Sequence, residues 1–266
     1  MTARFGVIGF GAWGSCYAGA IAKCGGAKLT AIAGNTPESL GRASEKHPDV
    51  ALTADYRELL ARDDVDIVSV VVPNALHEEM AVAAFDAGKH VLLEKPMVNS
   101  VSACDRILGA ARDSGRLLCI AHELRPSSQW GRIKSLVSEG RLGDLMYLTI
   151  ELWRRPYRSG SDGWRYDSDL VGTCMLEENI HFVDLAAWHF EDLTGEERFD
   201  ISEPQEIVRE RPSGEIFELD TLISRTVESI ESGVPLVSGE EGRRTVAICR
   251  AAEMAMNERR EVDLDL

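Results

Sequence analysis

A glycine-rich turn near the N-terminus constrains the fold of this 266-residue chain more than any other feature. The segment Gly9-Phe10-Gly11-Ala12-Trp13-Gly14 follows a strand-like run directly and opens a helical pattern. In a turn of this kind Gly9 allows the tight bend, Gly11 lets the backbone approach a pyrophosphate, and Gly14 lets the helix pack on the strand. The amino end of the helix offers N–H donors to phosphate oxygens. Residues 9–14 are therefore predicted to bind a dinucleotide.

Strand and helix patterns alternate over residues 1–121, which we predict to be a dinucleotide-binding domain of the Rossmann type. Alternation of this kind indicates an α/β fold with a doubly wound parallel sheet and helices on both faces. The predicted strands are Arg4–Ile8, Lys28–Ala33, Asp66–Val72, His90–Leu93 and Leu117–Ile120, and the predicted helices cover residues 12–24, 37–47, 55–61, 75–87 and 100–114.

The alternation stops after Ala121, and residues 122–266 are predicted to be a second, α+β domain. Helices are expected over 127–139, 177–189, 219–232 and 240–258. The alternating residues 144–153 predict a strand, and 206–211 with 215–219 predict a hairpin across Pro212-Ser213-Gly214.

Charge and apolar patterning narrow the choice of partner. The net charge of −15 disfavours nucleic acid and anionic membranes, because the protein repels phosphate groups. No apolar run approaches the ~20 residues of a membrane span, and no signal-like segment precedes the first strand, so we expect a cytoplasmic protein. The six cysteines form no Cys-x-x-Cys pair, and we interpret them as reduced, buried thiols that bind no metal.

The end of the second predicted strand bears on cofactor choice. Sites that prefer NAD usually carry an acid here, about 20 residues after the glycines, to bind a ribose hydroxyl. This chain has Asn35 and Thr36 instead, which can bond either ribose, so we lean slightly towards NADP over NAD. Arg42 and Lys46 either reach a 2′-phosphate or are solvated helix charges; both readings stay open at this stage.

Three further segments carry a family resemblance. They are Val72-Pro73-Asn74-Ala75-Leu76-His77, Gly88-Lys89-His90-Val91-Leu92-Leu93-Glu94-Lys95-Pro96-Met97, and Gly163-Trp164-Arg165 followed by Glu177 to Asp184. With the glycine turn, they resemble the Gfo/Idh/MocA oxidoreductases, the family of glucose–fructose oxidoreductase and inositol dehydrogenase. The resemblance implies an NAD(P)-dependent enzyme that acts on a sugar, cyclitol or related polyol.

The resemblance also implies roles for single residues. Lys95 matches the lysine that polarises the reacting oxygen, His181 the histidine that moves the proton, and Glu177 stands where the family usually has Asp. Residues matching the cofactor site beside the glycine turn are Pro73, Asn74, His77, Glu94 and Lys95. Substrate contacts are assigned to Arg125, Trp164, Arg165 and Asp184. For His77 the alternative is a contact at the amino end of its own helix, and for Asp184 a local cap or ion pair.

The chemistry of alcohol oxidation is consistent with these residue types. The nicotinamide takes the hydride, so the protein must stabilise a developing alkoxide and accept a proton. A lysine suits the first task and a histidine the second. Glu177 and His181 are spaced i, i+4, which places them on one helical face if the segment is helical. The carboxylate would then either orient the imidazole or share the substrate hydroxyls.

The chain also departs from the family. Family members commonly have a mostly antiparallel sheet in the second domain, and here that domain is shortened, with Glu123 replacing an asparagine. A shortened domain predicts either a pocket completed in a homo-oligomer or a protein that no longer turns over. Two functions therefore stay open: a polyol oxidoreductase, and a catalytically inactive dinucleotide-binding or partner-binding module.

Overall fold

A six-stranded parallel sheet forms the centre of the molecule, which we describe from a computed structural model over residues 2–143, 145–150, 161–190 and 215–264. The strand order is β3-β2-β1-β4-β5-β6, and each neighbouring pair is parallel. The strands are β1 (Ala3–Ile8), β2 (Ala27–Ala33), β3 (Ala51–Thr53), β4 (Ile67–Val70), β5 (His90–Glu94) and β6 (Leu118–Ala121). The order reverses between β1 and β4, and such a switch point leaves a crevice at the carboxyl ends of the strands.

Helices flank the sheet and continue beyond it. They are α1 (Ala12–Lys23), α2 (Pro37–Lys46), α3 (Tyr56–Leu60), α4 (His77–Asp86), α5 (Val101–Ser114), α6 (Trp130–Ser138), α7 (Ser168–Val171), α8 (Ile180–Phe190), α9 (Glu215–Ser232) and α10 (Gly239–Glu258). Short 3₁₀ turns cover Asn74–Leu76 and Ser161–Tyr166, and a π-helical turn, Met175–Asn179, leads into α8.

The predicted parallel sheet is confirmed, and its strands are buried on both faces. One apolar cluster unites Val68 and Leu93 with residues of α4, α5 and α10. The other unites Phe5 and Ile32 with residues of α1 and α9. Helices from the end of the chain thus cover both faces of the sheet built by its first half.

Strand predictions in the second half were wrong where the structure describes them. Residues 145–150 form no strand, and Met146 and Tyr147 are more than four-fifths exposed. An alternating segment becomes a strand only when a neighbour pairs with its backbone, and the described residues after 121 contain no strand. The remainder of the predicted strand, residues 144 and 151–153, lies outside the described residues.

The hairpin prediction was wrong in its second arm, because residues 215–219 open helix α9; its first arm, 206–211, lies outside the described residues. Strand β3 was missed because three residues give too short a pattern. All six cysteines are free, but the expectation that they are buried holds for Cys104, Cys119 and Cys249 only; Cys174 is exposed.

Candidate active site

The glycine turn joins β1 to α1, and its three glycines serve different purposes. Gly9 has φ +94°, and a Cβ on it would lie 2.1 Å from the Val71 carbonyl oxygen. A Cβ on Gly14 would lie 1.9 Å from the Gly9 carbonyl oxygen. The protein itself therefore requires these two glycines. A Cβ on Gly11 meets nothing within 4 Å, so the space above this residue is open to a ligand.

The other residues of the turn divide between core and rim. The Phe10 ring is buried, and it meets the His47 ring edge-on at 6.0 Å. Ala12 is exposed at the amino end of α1, where Gly11 is the N-cap and no side chain caps the helix. The helix dipole and its first amides thus face the open side of the turn.

Glu94 holds the first helix against the end of β5. Its Oε1 accepts hydrogen bonds of 2.6 Å from both Trp13 Nε1 and Tyr17 Oη, and its Oε2 accepts one of 2.9 Å from the Lys95 amide. Burial raises the pKa of the Glu94 carboxyl, against the opposing charge of Lys95. The Glu94 carboxylate is thus directed at the protein's own donors, and its cofactor contact stays a prediction.

At the end of β2, Asn35 is exposed and Thr36 caps α2, accepting a 3.1 Å hydrogen bond from the Ser39 amide. Two cations of α2 reach back towards the glycine turn. Arg42 Nη2 lies 3.3 Å from the Phe10 carbonyl oxygen, and Lys46 Nζ lies 2.9 Å from Ser15 Oγ. Both residues are exposed, and each has its cationic group within hydrogen-bond distance of an atom at or beside the turn.

The segment after β4 is fixed from two sides. The buried Asn74 donates through Nδ2 to the Val171 carbonyl oxygen at 2.7 Å. The fully buried His77 ring lies between two carbonyl oxygens, 2.9 Å from that of Pro96 and 3.0 Å from that of Val72, and burial lowers its pKa. His77 thus ties the ends of β4 and β5 together. These contacts differ from the alternative considered for His77, a contact at the amino end of its own helix, and the cofactor contact stays a prediction.

Lys95 meets the π-helical turn. Its Nζ donates a 2.6 Å hydrogen bond to the Glu177 carbonyl oxygen and lies 3.8 Å from Glu177 Oε2. The Glu177 carboxylate also lies 3.4 Å from Asn74 Nδ2 and 3.3 Å from Arg165 Nε. Single π turns within helices occur frequently at functional sites, and this one carries Glu177 to the ends of β4 and β5.

His181, in the first turn of α8, is buried beside a different carboxylate from the one predicted. Its Nδ1 lies 3.8 Å from Glu123 Oε1, and the two side chains are 5% and 2% exposed. From the i, i+4 spacing, Glu177 was expected either to orient the imidazole or to share the substrate hydroxyls. The turn is π-helical, and the described contacts of the Glu177 carboxylate are with Lys95, Asn74 and Arg165, so its role at the site stays a prediction.

The predicted substrate residues form two groups. Arg125 and Asp184 bind each other through two hydrogen bonds of 2.8 and 2.7 Å, and both side chains are only 2% exposed. Arg125 also binds Glu241 of α10. This pair therefore has a packing role, which agrees with the local ion pair considered for Asp184. Trp164 and Arg165, by contrast, are half-buried, with the guanidinium 5.4 Å from the indole ring and beside Glu177.

Sequence reasoning assigned no role to three residues near this site. Tyr17 binds Glu94, Glu123 lies beside His181, and the buried His122 lies with Nδ1 3.7 Å from Asp184 Oδ2. Burial lowers the pKa of His122 to about 4, although Asp184 opposes the shift. The exchange of the family's asparagine for Glu123 was the one sequence signal that pointed here.

The comparisons with known proteins define the class. A family model described as "Oxidoreductase family, NAD-binding Rossmann fold" matches residues 3–122, and one described as "GFO/IDH/MocA C-terminal domain" matches residues 130–197. The chain belongs to the Gfo/Idh/MocA oxidoreductase family, which confirms the resemblance drawn from its motifs.

Two curated relatives illustrate the match. The chain is 34% identical over 158 residues to a dTDP-3,4-didehydro-2,6-dideoxy-alpha-D-glucose 3-reductase of Streptomyces violaceoruber, covering 59% of this chain and 45% of the relative. It is 32% identical over 196 residues to an inositol 2-dehydrogenase/D-chiro-inositol 3-dehydrogenase of Shouchella clausii, covering 72% and 54%. The chain thus spans about half the length of the curated relatives it matches.

A solved structure supports the fold. The aldose-aldose oxidoreductase from Caulobacter crescentus, complexed with glycerol, superposes with a TM-score of 0.79 at 21% identity, covering 99% of this chain and 100% of the other. Within the part of the chain that the structure describes, no cluster of His, Cys, Asp and Glu has the arrangement of a metal site, and no helix is long and apolar enough to cross a membrane.

Proposed function

We propose that the protein is an NAD(P)-dependent oxidoreductase that transfers a hydride between nicotinamide and a hydroxyl or keto carbon of a sugar, cyclitol or related polyol. The observation that carries the proposal is the placement of Lys95, Glu177 and His181. Lys95 follows β5, and its Nζ contacts Glu177, which lies four residues before His181. These residues stand at the carboxyl edge of the sheet, where α/β folds bind ligands.

The residues suit a dinucleotide. The open space at Gly11 and the uncapped amino end of α1 fit a pyrophosphate, and Pro73 with Asn74 lies at the next loop of the same edge. When bound, the nicotinamide supplies or accepts the hydride. Lys95 Nζ then stabilises negative charge on the substrate oxygen, and His181 accepts or returns the hydroxyl proton.

Glu177 and Arg165 have a supporting place in this proposal. The Glu177 carboxylate lies between the Lys95 ammonium and the Arg165 guanidinium, so it holds both cations at the mouth of the site. Arg165 and Trp164 are partly exposed there, and a guanidinium beside an indole suits the hydroxyls and apolar face of a polyol ring. The dehydrogenase and reductase names of the curated relatives support this substrate class.

Cofactor choice can be tested at the end of β2. Asn35 is exposed and uncharged there, with Arg42 and Lys46 beside the glycine turn, so we predict that NADP is accepted at least as well as NAD. Asn35→Asp should move the kcat/KM ratio towards NAD, since a carboxylate repels a 2′-phosphate. A ten-fold preference of the wild type for NAD contradicts the predicted acceptance of NADP. An unchanged kcat/KM ratio in Asn35→Asp contradicts the placement of Asn35 beside the 2′ position of the ribose.

The function itself is tested by binding and turnover together. Nicotinamide fluorescence measures the affinity for NADH and NADPH, and nicotinamide absorbance then follows turnover of a sugar and cyclitol panel with either cofactor. Binding with turnover supports the oxidoreductase. Tight binding without turnover across the panel contradicts it and supports the inactive dinucleotide-binding module.

A further inference from the structure

We infer that Glu123 is the positioning residue for His181: its carboxylate fixes the orientation of the imidazole and stabilises its protonated form. The inference deepens the proposed function, on which it rests, because it concerns how the same site handles a proton. In this arrangement Glu123, which follows β6, has the orienting role that was considered for Glu177 in the π-helical turn.

The geometry carries the inference. Glu123 follows β6 by two residues, and His181 lies in the first turn of α8, so the contact joins parts of the chain far apart in sequence. Glu123 Oε1 and His181 Nδ1 are 3.8 Å apart, within ion-pair distance and slightly longer than a hydrogen bond. Catalytic contacts of this kind are often long in the free protein and shorten when ligand binds.

Burial makes the pairing consequential. The two side chains are only 5% and 2% exposed, so water screens their interaction poorly. A carboxylate at Nδ1 also favours the tautomer with the proton on Nδ1, which leaves Nε2 to accept a proton from the substrate hydroxyl. An asparagine at position 123 offers neither the charge nor the same reach.

Charged groups on the elements packed against α8 have described partners of their own. They are Lys95 with Glu177, Arg125 with Asp184 and Glu241, Lys134 with the Trp188 carbonyl oxygen, and Glu253 with Thr173 and Arg250. The neighbouring imidazole His122 lies beside Asp184. Among these described groups, the Glu123 carboxylate is the one within ion-pair distance of His181 Nδ1.

The first test measures the ring directly and needs no turnover. Histidine side-chain NMR follows the six imidazoles against pH, and loss of one signal in His181→Gln assigns the resonance. A nearby charge typically moves a titration midpoint by about 1–3 pH units. In Glu123→Gln the His181 midpoint should therefore fall by about one unit or more relative to the wild type. An unchanged midpoint overturns the inference even if the enzyme proposal holds.

The second test reads turnover on a substrate found in the panel. The midpoint of the kcat/KM–pH profile should move to lower pH in Glu123→Gln, and kcat should fall about ten-fold or more, as when the carboxylate that orients a proton-transferring histidine is lost. Glu123→Asp keeps the charge and should recover the wild-type midpoint. If the wild type turns over the substrate and Glu123→Gln leaves the midpoint of the profile unchanged, the inference is overturned while the proposed function stands.

Two further variants serve as controls. Glu139→Gln removes a half-exposed carboxylate at the end of α6 and should change neither the midpoint nor kcat. Thermal denaturation shows whether Glu123→Gln is folded. If it is not, Glu123→Asn, which carries the family's residue, replaces it, and the same fall in the His181 midpoint is expected. A His181 midpoint that Glu123→Asn leaves unchanged overturns the inference in the same way.

Discussion

At the scale of single residues, the glycine turn separates what the fold needs from what a ligand needs. Gly11 has φ −72° and open space around its Cβ position, so a valine fits the folded protein. We predict that Gly11→Val keeps its melting temperature close to that of the wild type and loses affinity for NAD(P)H, because the new side chain occupies the approach of the pyrophosphate. Thermal denaturation and nicotinamide fluorescence measure the two quantities.

A matched control comes from the same helix. A Cβ on Gly19 of α1 also meets nothing within 4 Å. Gly19→Ala should keep full affinity and gain about 0.5–1 kcal/mol in the free energy of unfolding, as alanine does in helix interiors. Wild-type affinity in Gly11→Val would place the dinucleotide elsewhere.

His122 gives a prediction about stability and pH. Its pKa is about 4 in the folded protein, lowered by burial, against about 6.5 in an unfolded chain. The unfolded state therefore binds more protons between these values, and stability is complete above pH 6.5 and falls as the pH drops towards 4. Between pH 7.5 and pH 5 the wild type should lose about 2 kcal/mol more unfolding free energy than His122→Gln.

Urea denaturation at the two pH values measures this difference. The comparison isolates His122 because the buried His77 and His189, whose pKa values burial also lowers, remain in both proteins. Equal losses in wild type and variant would show that His122 does not titrate in this way.

At the scale of elements, the pair Arg125–Asp184 connects the segment after β6 to α8, and Glu241 extends it to α10. Removing one partner leaves a buried charge uncompensated, so Arg125→Met should lower the unfolding free energy by about 3–5 kcal/mol. The surface pair Arg4–Asp66, at about 40% exposure, is the control: Arg4→Met should cost about 1 kcal/mol or less. Equal costs in urea denaturation would contradict the packing role.

Elements with a strong periodic pattern were predictable from sequence, and those fixed by partners were not. Five strands and the helices of the first half follow the expected ranges within a few residues, because each has its own apolar period and turn. The segment 144–153 has the two-residue alternation of a strand, but its described residues, 145–150, pair with no other strand. Glu177 had helical spacing from His181, but spacing does not reveal a π turn or which charges a carboxylate meets across the fold.

At the scale of the whole molecule, the end of the chain returns to the sheet. Leu222 and Ile223 of α9 join the apolar cluster of α1, and Val246 of α10 joins that of β6. Local sequence patterns do not reveal such long-range packing. The division into domains 1–121 and 122–266 therefore stays a prediction. Helix α10 also brings Glu241 to Arg125. It therefore supports the segment after β6 that contains Glu123.

Steady-state turnover of Lys95→Met tests whether Lys95 stabilises negative charge on the reacting oxygen. Methionine fills similar space without charge, so NAD(P)H affinity should stay within a few-fold of the wild type while kcat falls about 10²–10³-fold, as when an oxyanion stabiliser is lost. The measurement uses nicotinamide absorbance on the best panel substrate, with nicotinamide fluorescence for affinity. Wild-type kcat in Lys95→Met would show that Lys95 does not have this role.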